Sequence, residues 1–217
     1  MELQIKEIQK DIDKLHRKHG DKNFTTLYGA GCVKNPKVLF LFMNPTAKNL
    51  TVHKSWEGIR APWIGLKNTW RLMKELGFIS SGLNEKVRGS KKEDWNHEFA
   101  LELYSCVAKN KGYLTNLARC TQPDARHVSD VVFRESLNIT LREIEIINPK
   151  IIVSFGNQVS TNLLGYPIKV SETRKQKHDL KIGKKTYAVY PTFYPVGMGL
   201  RNINKAIEDI KFVMKNV

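Results

Sequence analysis

Residues 37–45 read KVLFLFMNP, and the rest of the chain is understood most easily from this segment. The run from Val38 to Met43 is continuously apolar; it is too short for a membrane span and typical of a parallel strand buried on both faces. Asn44-Pro45 ends the strand, because proline cannot donate to the sheet ladder and biases its predecessor away from helix. Open α/β sheets bind ligands at the carboxyl ends of their strands. Asn44 is therefore a candidate site residue, with a simple turn as the alternative role.

The composition indicates a single folded domain over residues 1–217. The chain is 41% hydrophobic and 26% charged, which is typical of a globular protein with one substantial core. No segment has the length of a transmembrane helix, and residues 1–10 lack the apolar part of a signal peptide, so we expect a cytoplasmic protein without membrane contact. The cysteines, Cys32, Cys106 and Cys120, are too few and too scattered for a disulfide scaffold or a four-thiolate metal site. We expect no metal and no cofactor.

The net charge is the most informative global property. The sequence has 36 Lys and Arg against 21 Asp and Glu, a formal charge of +15. Self-repulsion of this size costs stability, and a polyanionic partner offsets it. Nucleic acid is the first candidate partner and an anionic membrane surface the second, while a preference for a basic, soluble surface is the plain alternative.

Apolar periodicity predicts an α/β fold. The predicted helices cover 2–19, 68–76, 129–147, 157–164 and the C-terminal segment from Asn202 or Asn204, and residues 99–106 are predicted as a short helix or a loop. The predicted strands cover 38–43, 113–118, 151–155 and 187–190. Residues 80–96 are predicted to form a mobile basic excursion. Strands that alternate with helices indicate a three-layer α/β/α sandwich around a central four-stranded parallel sheet. The N-terminal helix, within residues 1–20, is expected to pack on the outside.

Three predicted strand ends carry polar side chains or unusual loops: Asn44-Pro45, Asn116, and the segment 194–201, which reads YPVGMGLR. This third loop combines proline for stiffness, glycine for close backbone approach, and two apolar residues beside a cation. Exposed Met198 and Leu200 on a rigid loop would suit a wedge that enters a base step while cations hold the phosphates. Burial of both side chains in the core is the alternative.

The order of these motifs resembles the uracil-DNA glycosylase superfamily, and the layout is most similar to its family 4 branch. The resemblance spans roughly residues 28–215. The matching segments are Met43-Asn44-Pro45, Pro62-Trp63-Ile64-Gly65, Tyr113-Leu114-Thr115-Asn116 with Arg119-Cys120, Asn148-Pro149-Lys150-Ile151-Ile152-Val153 with Phe155-Gly156, and Tyr194-Pro195-Val196 with Leu200-Arg201.

The resemblance implies a monofunctional DNA glycosylase that flips a damaged, deaminated or modified base, uracil by default, and hydrolyses its N-glycosidic bond. By position, Asn44 would hold the attacking water, Trp63 would stack on the flipped base, and Asn116 would read its Watson–Crick edge. Backbone around Met43 and Pro45, including the N–H after the proline, would support the leaving base.

The candidate DNA contacts lie in three places. The rigid loop would supply them through Pro195, Gly197, Met198, Gly199, Leu200 and Arg201. The basic segment 169–185 is a second candidate for phosphate contacts, with Lys184 and Lys185 singled out, and the excursion 80–96 a third. A solvated basic surface is the alternative for both of these segments. The protein is expected to act on DNA as a monomer.

Two departures from the family pattern leave the function open. Tyr194 stands where the family has a histidine that donates to the base as negative charge develops, and the iron–sulfur cysteines of family 4 are missing apart from Cys120. A superfamily member that binds DNA or a modified base without cleaving it is therefore an alternative to the enzyme. Hydrolysis of a free nucleoside is a third possibility, and the strong positive charge argues against it.

Overall fold

The computed structural model describes residues 2–51, 53–55, 58–61, 66–124 and 128–216. Its helices are α1 (Glu2–His19), α2 (Lys67–Glu75), α3 (Ser81–Gly89), α4 (His97–Lys109), α5 (Asp130–Ile147), α6 (Asn157–Leu164) and α7 (Ile203–Lys215). Its strands are β1 (Ala30–Gly31), β2 (Val38–Phe42), β3 (Gly112–Asn116), β4 (Ile151–Phe155), β5 (His178–Ile182) and β6 (Lys185–Thr192).

The sheet has six strands, whereas the sequence predicts four. Their order is β1-β3-β2-β4-β6-β5. The four predicted strands pair in parallel in the middle of this order. The two additional strands, β1 and β5, pair antiparallel at the edges. The α/β class is confirmed, and the sheet is mixed and mostly parallel, with two edge strands that the predicted four-stranded sheet lacks.

Side chains of β2 alternate between two cores, one on each face of the sheet. Phe40 and Phe42 pack with residues of α2, α3, α4 and α7. Leu39 and Leu41 pack with residues of α1, α5 and α6. Because successive side chains of a strand point to opposite faces, a strand between two layers of helices must be apolar at every position. This explains why β2 is buried throughout.

Residues 80–96 form ordered helical structure, so the prediction of a mobile excursion is wrong. Ser80 caps α3, with its side chain accepting a hydrogen bond from the Leu83 N–H at 3.2 Å. Val87 and Trp95 are completely buried. The basic residues of this segment therefore belong to packed helical structure and do not indicate disorder.

Segment 169–185 contains the edge strand β5, which was not predicted because the segment is rich in charged residues. Only Leu180 of β5 is buried, in the middle of the strand. Several cations of the segment are also paired within the protein: Arg174 with Asp209, Lys175 with Glu208, and Lys177 with Asp179. Much of the local charge is consequently neutralised by the fold itself.

A buried ionic network joins β3 to α5 on the face opposite the first core. Arg119 and Glu143 form a salt bridge in which both side chains are almost completely buried. Glu143 also accepts hydrogen bonds from Tyr113 at 2.8 Å and Thr115 at 2.9 Å. A buried network of this kind is favourable only when its members are satisfied, and here each of these four side chains has a partner.

Among the described residues, no helix is long and apolar enough to cross a membrane.

Candidate functional site

A cavity of about 670 Å³ opens at the carboxyl ends of the central strands. Its wall combines the ends of β2, β4 and β6 with the start of α6 and the loop after β6. The described lining residues are Phe42, Met43, Asn44, Thr46, Lys48, Asn49, Arg60, Leu66, Thr69, Pro123, Asp124, Phe155, Gly156, Asn157, Gln158, Val159, Tyr194, Val196, Gly197, Met198 and Gly199.

The topology of the sheet explains why the cavity lies there. β2 pairs with β3 on one side and with β4 on the other, so the chain leaves the ends of these strands in different directions. An open α/β sheet forms its ligand crevice at such a switch point, outside the carboxyl ends of the strands. The position of the cavity follows from strand order alone.

Asn44 lies in this crevice with its amide orientation fixed by the backbone. The side chain is only 4% exposed, and its Nδ2 donates to the Pro45 carbonyl at 3.0 Å. Because a carbonyl oxygen can only accept, the Asn44 atom that faces it must be the amide nitrogen. The remaining polar atom of the side chain is therefore the oxygen, Oδ1. Asn44 Oδ1 is buried without a hydrogen-bond partner among the described residues. The residue therefore offers an acceptor for a bound water or ligand.

Asn49 is a second buried amide of the cavity wall, and the sequence analysis missed it. Its Oδ1 accepts from the backbone N–H of Thr46 at 2.9 Å. Its Nδ2 is buried without a partner within the described part of the chain. Asn49 thus offers a donor where Asn44 offers an acceptor. An asparagine in a loop gives no sequence signal for this role, because asparagine is common in turns.

Asn116 is buried at the end of β3, behind the cavity wall. Its Oδ1 accepts a hydrogen bond from Nη2 of Arg60, and the Arg60 side chain lines the cavity. Asn116 Nδ2 has no partner among the described residues. Among the described residues, the predicted base-reading Asn116 does not line the cavity; it contacts Arg60, which does line it and which the sequence analysis did not single out.

Tyr194 packs edge-on against two rings of the cavity floor. Its ring lies 6.2 Å from that of Phe42 and 6.3 Å from that of Phe155, between centroids. The hydroxyl oxygen accepts from the Met43 N–H at 3.4 Å, which leaves the hydroxyl hydrogen available to a ligand. Burial raises the pKa of Tyr194, and the nearby Arg60 opposes that rise. The phenol therefore stays protonated at neutral pH.

The structure gives little support to the backbone donors expected near the first motif. The Met43 N–H is directed at Tyr194, and the Thr46 N–H donates to Asn49. The Met43 residue does line the cavity. Pro45 is buried beside it and its carbonyl is used by Asn44. Neither backbone N–H is free for a leaving base in this arrangement.

The loop after β6 forms one rim of the cavity. Gly197, Met198 and Gly199 line the opening, and the Met198 side chain is 90% exposed. Pro195 is buried, whereas Leu200 and Arg201 are exposed on the 3-10 turn that leads into α7. A Cβ atom at Gly199 would stand 2.1 Å from the Tyr194 carbonyl oxygen. Only glycine permits this close approach, which couples the loop to Tyr194.

Lys184 and Lys185 are far from this rim. Lys185 is the first residue of β6, and Tyr194 lies two residues after Thr192, the last residue of that strand. The strand has eight residues, so it separates the two by roughly 25 Å at about 3.3 Å per residue. Lys185 is also hydrogen-bonded to Asn148 Oδ1. The structure thus places this pair at the opposite end of the sheet, away from the cavity.

Trp63 and the motif 62–65 around it lie outside the described residues. Its stacking on a base stays a prediction.

Among the described residues, no cluster of His, Cys, Asp or Glu has an arrangement that could hold a metal ion.

No protein-family model matches the chain, and no curated protein matches it either.

Proposed function

We propose that the protein is a DNA glycosylase that flips a damaged, deaminated or modified base, uracil by default, and hydrolyses its N-glycosidic bond. One observation carries the proposal: the crevice between β2, β4 and β6 brings Asn44, Tyr194 and the exposed Met198 to a single opening. Asn44 follows β2, whereas Tyr194 and Met198 both follow β6, so two separate strand ends supply groups that we expect to act in the same reaction.

The cavity suits a nucleobase in size and in chemistry. Its volume of about 670 Å³ lies within the range of ordinary small-molecule sites. Phe42 and Phe155 provide an apolar floor, and their rings stack at 4.7 Å between centroids. The buried amides of Asn49 and Asn44 in the cavity wall supply a donor and an acceptor. A planar heterocycle with polar edges matches such a surface.

The proposed reaction needs an oriented water more than a strong base. As the bond from C1′ to the base breaks, its electron pair leaves with the base and the sugar becomes cation-like. The free Oδ1 of Asn44 accepts a hydrogen bond from the water whose oxygen then attacks C1′. An amide cannot take the proton, which passes to solvent after attack. Orientation alone can lower such a barrier substantially.

The proposed partner is DNA, bound by one copy of the protein in the cytoplasm. The formal charge of +15 supports attraction to phosphates. The exposed Met198 side chain, beside Leu200 and Arg201, suits the space that a flipped nucleotide leaves in the stack. Lys184 and Lys185 are not part of this surface because they lie at the other end of β6.

A panel of oligonucleotides tests the proposal. Purified protein is incubated with duplex and single-stranded DNA that carries uracil, mismatched thymine, hypoxanthine or a modified cytosine, and alkali then cleaves at any abasic site. We expect strand breaks at one or more of these bases. No break at any of them contradicts the enzymatic proposal.

A DNA-binding protein without turnover is the second candidate function. The observation that favours it is the pair Asn44 and Tyr194, which provides neither a carboxylate base nor an imidazole donor at these positions. This candidate predicts tight, salt-sensitive DNA binding in the same panel without any alkali-labile product.

A further inference from the structure

Arg60 is a buried cation on the cavity wall. The residue is 5% exposed, and it lines the cavity beside Phe42 and Tyr194. Its Nη2 donates to Asn116 Oδ1. Among the described residues, it forms no salt bridge, and the groups that act on its charge are Tyr104, Tyr194 and Arg119, none of them a carboxylate. The one described carboxylate of the wall is Asp124, which is not among them.

The backbone of Arg60 is held firmly in this position. Its carbonyl accepts from the Tyr104 hydroxyl at 3.1 Å. The next residue, Ala61, donates its N–H to the Asn49 carbonyl at 2.7 Å. The guanidinium carbon then lies 5.0 Å from the centroid of the Phe42 ring. The cation is therefore fixed against the floor on which a planar ligand would rest.

Burial of this cation is costly for the protein alone. Desolvation lowers the pKa of Arg60, and the tyrosine oxygens nearby only partly oppose that effect. A guanidinium has five N–H donors, and one of them is used by Asn116. A buried charge usually has an ionic partner. An anion in the cavity would supply that partner and satisfy the remaining donors.

We propose that Arg60 is a catalytic residue that binds the departing nucleobase as an anion, by donating to a carbonyl oxygen conjugated with its glycosidic nitrogen. This inference rests on the proposed function. When the bond to C1′ breaks, the electron pair passes into the ring and charge develops on that oxygen. Arg60 keeps its protons and stabilises the anion electrostatically. It does in this chain what Tyr194, a neutral donor, cannot do alone, and it selects uracil-like bases that carry such a carbonyl.

A leaving-group series tests the role directly. Single-turnover excision is measured with DNA containing uracil or the more acidic 5-fluorouracil, for the wild type, Arg60→Gln, Arg60→Lys and the exposed control Arg134→Gln. We expect Arg60→Gln to lose about 100-fold on uracil and much less on 5-fluorouracil, whose anion needs less help. Arg60→Lys should recover part of the rate, and Arg134→Gln should match the wild type.

Equal losses on both bases would overturn the inference and leave Arg60 with a structural role. Full activity of Arg60→Gln would overturn it too, while the proposed function would stand. A folding control is the urea midpoint of each variant. If Arg60→Gln does not fold, Arg60→Lys is judged by the same criterion. Its excision rate must fall more on uracil than on 5-fluorouracil.

Binding of a free base tests the inference without any turnover. Calorimetry measures the binding of 5-fluorouracil at pH values below and above the pKa of this base. The guanidinium stays charged across this range, so the base is the group whose charge changes. We expect affinity to rise as the base ionises, and Arg60→Gln to lose about tenfold for the anion. If the free base binds in this way but no base is excised from DNA, the proposed function is refuted and Arg60 remains an anion-binding residue. Affinity that is absent or independent of pH would overturn the inference.

A DNA phosphate is the competing occupant. DNA with a stable abasic analogue carries the phosphates and lacks the base. If Arg60→Gln weakens binding of this DNA about as much as it weakens the free anion, Arg60 contacts the backbone and the inference fails. Unchanged binding of the abasic DNA supports it.

Discussion

Arg60 donates from Nη2 to Oδ1 of Asn116, and this bond fixes the chemistry of the amide. A guanidinium can only donate, so the atom facing it must be the oxygen. The Nδ2 of Asn116 is left as a buried donor. The side chain that the family resemblance assigns to base reading is thus oriented by a cation from a different loop. Any change at Arg60 should alter Asn116 as well.

Glu143→Gln should destabilise the protein strongly. The carboxylate is the ionic partner of the buried Arg119 and accepts from Tyr113 and Thr115. Its replacement by an amide leaves a buried cation unpaired, which costs about 3–5 kcal/mol of unfolding free energy. Urea denaturation measures the change. Glu145→Gln, on the exposed side of the same helix, should shift the free energy by less than about 0.5 kcal/mol; equal effects of the two would contradict a stabilising network.

Met198→Ala should impair excision from duplex DNA selectively. The side chain is 90% exposed on the cavity rim, so its removal creates no core cavity. If it fills the gap in the base stack, we expect about a tenfold loss on duplex substrate and little loss on single strands. The ratio of the two rates is the measurement. Leu3→Ala removes another exposed apolar side chain, on α1, and should leave that ratio unchanged. A uniform loss on both substrates would exclude the wedge.

Tyr194→Phe should reduce the rate moderately. The phenol oxygen accepts from the Met43 N–H at 3.4 Å, and its own hydrogen is available to the ligand. Loss of one neutral donor should cost about tenfold in single-turnover rate, with about 1 kcal/mol of stability lost at the Met43 N–H. Tyr190→Phe is the matched control, because Tyr190 lies within β6 and does not line the cavity. A loss larger than that of Arg60→Gln would make Tyr194 the principal electrophile.

Alkaline pH should unfold the protein through its buried phenols. Burial raises the pKa of Tyr28, Tyr104, Tyr113 and Tyr194 above the ordinary value of 10.0. Above about pH 10 the unfolded chain loses these protons while the folded chain keeps them, so the folded state binds more protons and stability falls as pH rises. Urea midpoints between pH 9 and pH 11 measure the slope of stability against pH.

The slope should be smaller in Tyr104→Phe, which removes one of the raised groups. Its stability at pH 7 provides the baseline, because none of these phenols ionises there in either state. A slope identical to that of the wild type would show that the Tyr104 phenol does not contribute.

The predicted strands and most helices agree with the structure because their apolar periodicity is strong. β4 matches its predicted bounds of 151–155, and β2 ends one residue early, at Phe42. The edge strands were missed for physical reasons. β1 has only two residues, and β5 has one buried side chain among charges, so neither carries a recognisable pattern.

The sequence could place two of the candidate residues because they end buried strands. Asn44 and Asn116 follow apolar runs, and the topology brings both strand ends to one edge. Arg60 and Asn49 lie in the irregular segment after β2, where the sequence gives no period. One arginine among 36 basic residues carries no signal by itself. Only its burial beside Phe42 distinguishes it from the other cations.

Asn44 holds the attacking water in the proposed reaction, and its amide is therefore the decisive target. Single-turnover excision is compared for the wild type, Asn44→Ala and the exposed control Asn138→Ala, together with the affinity of each for substrate DNA. We predict that Asn44→Ala loses at least about 100-fold in rate and keeps its affinity, and that Asn138→Ala matches the wild type. Undiminished excision by Asn44→Ala would contradict the proposed site.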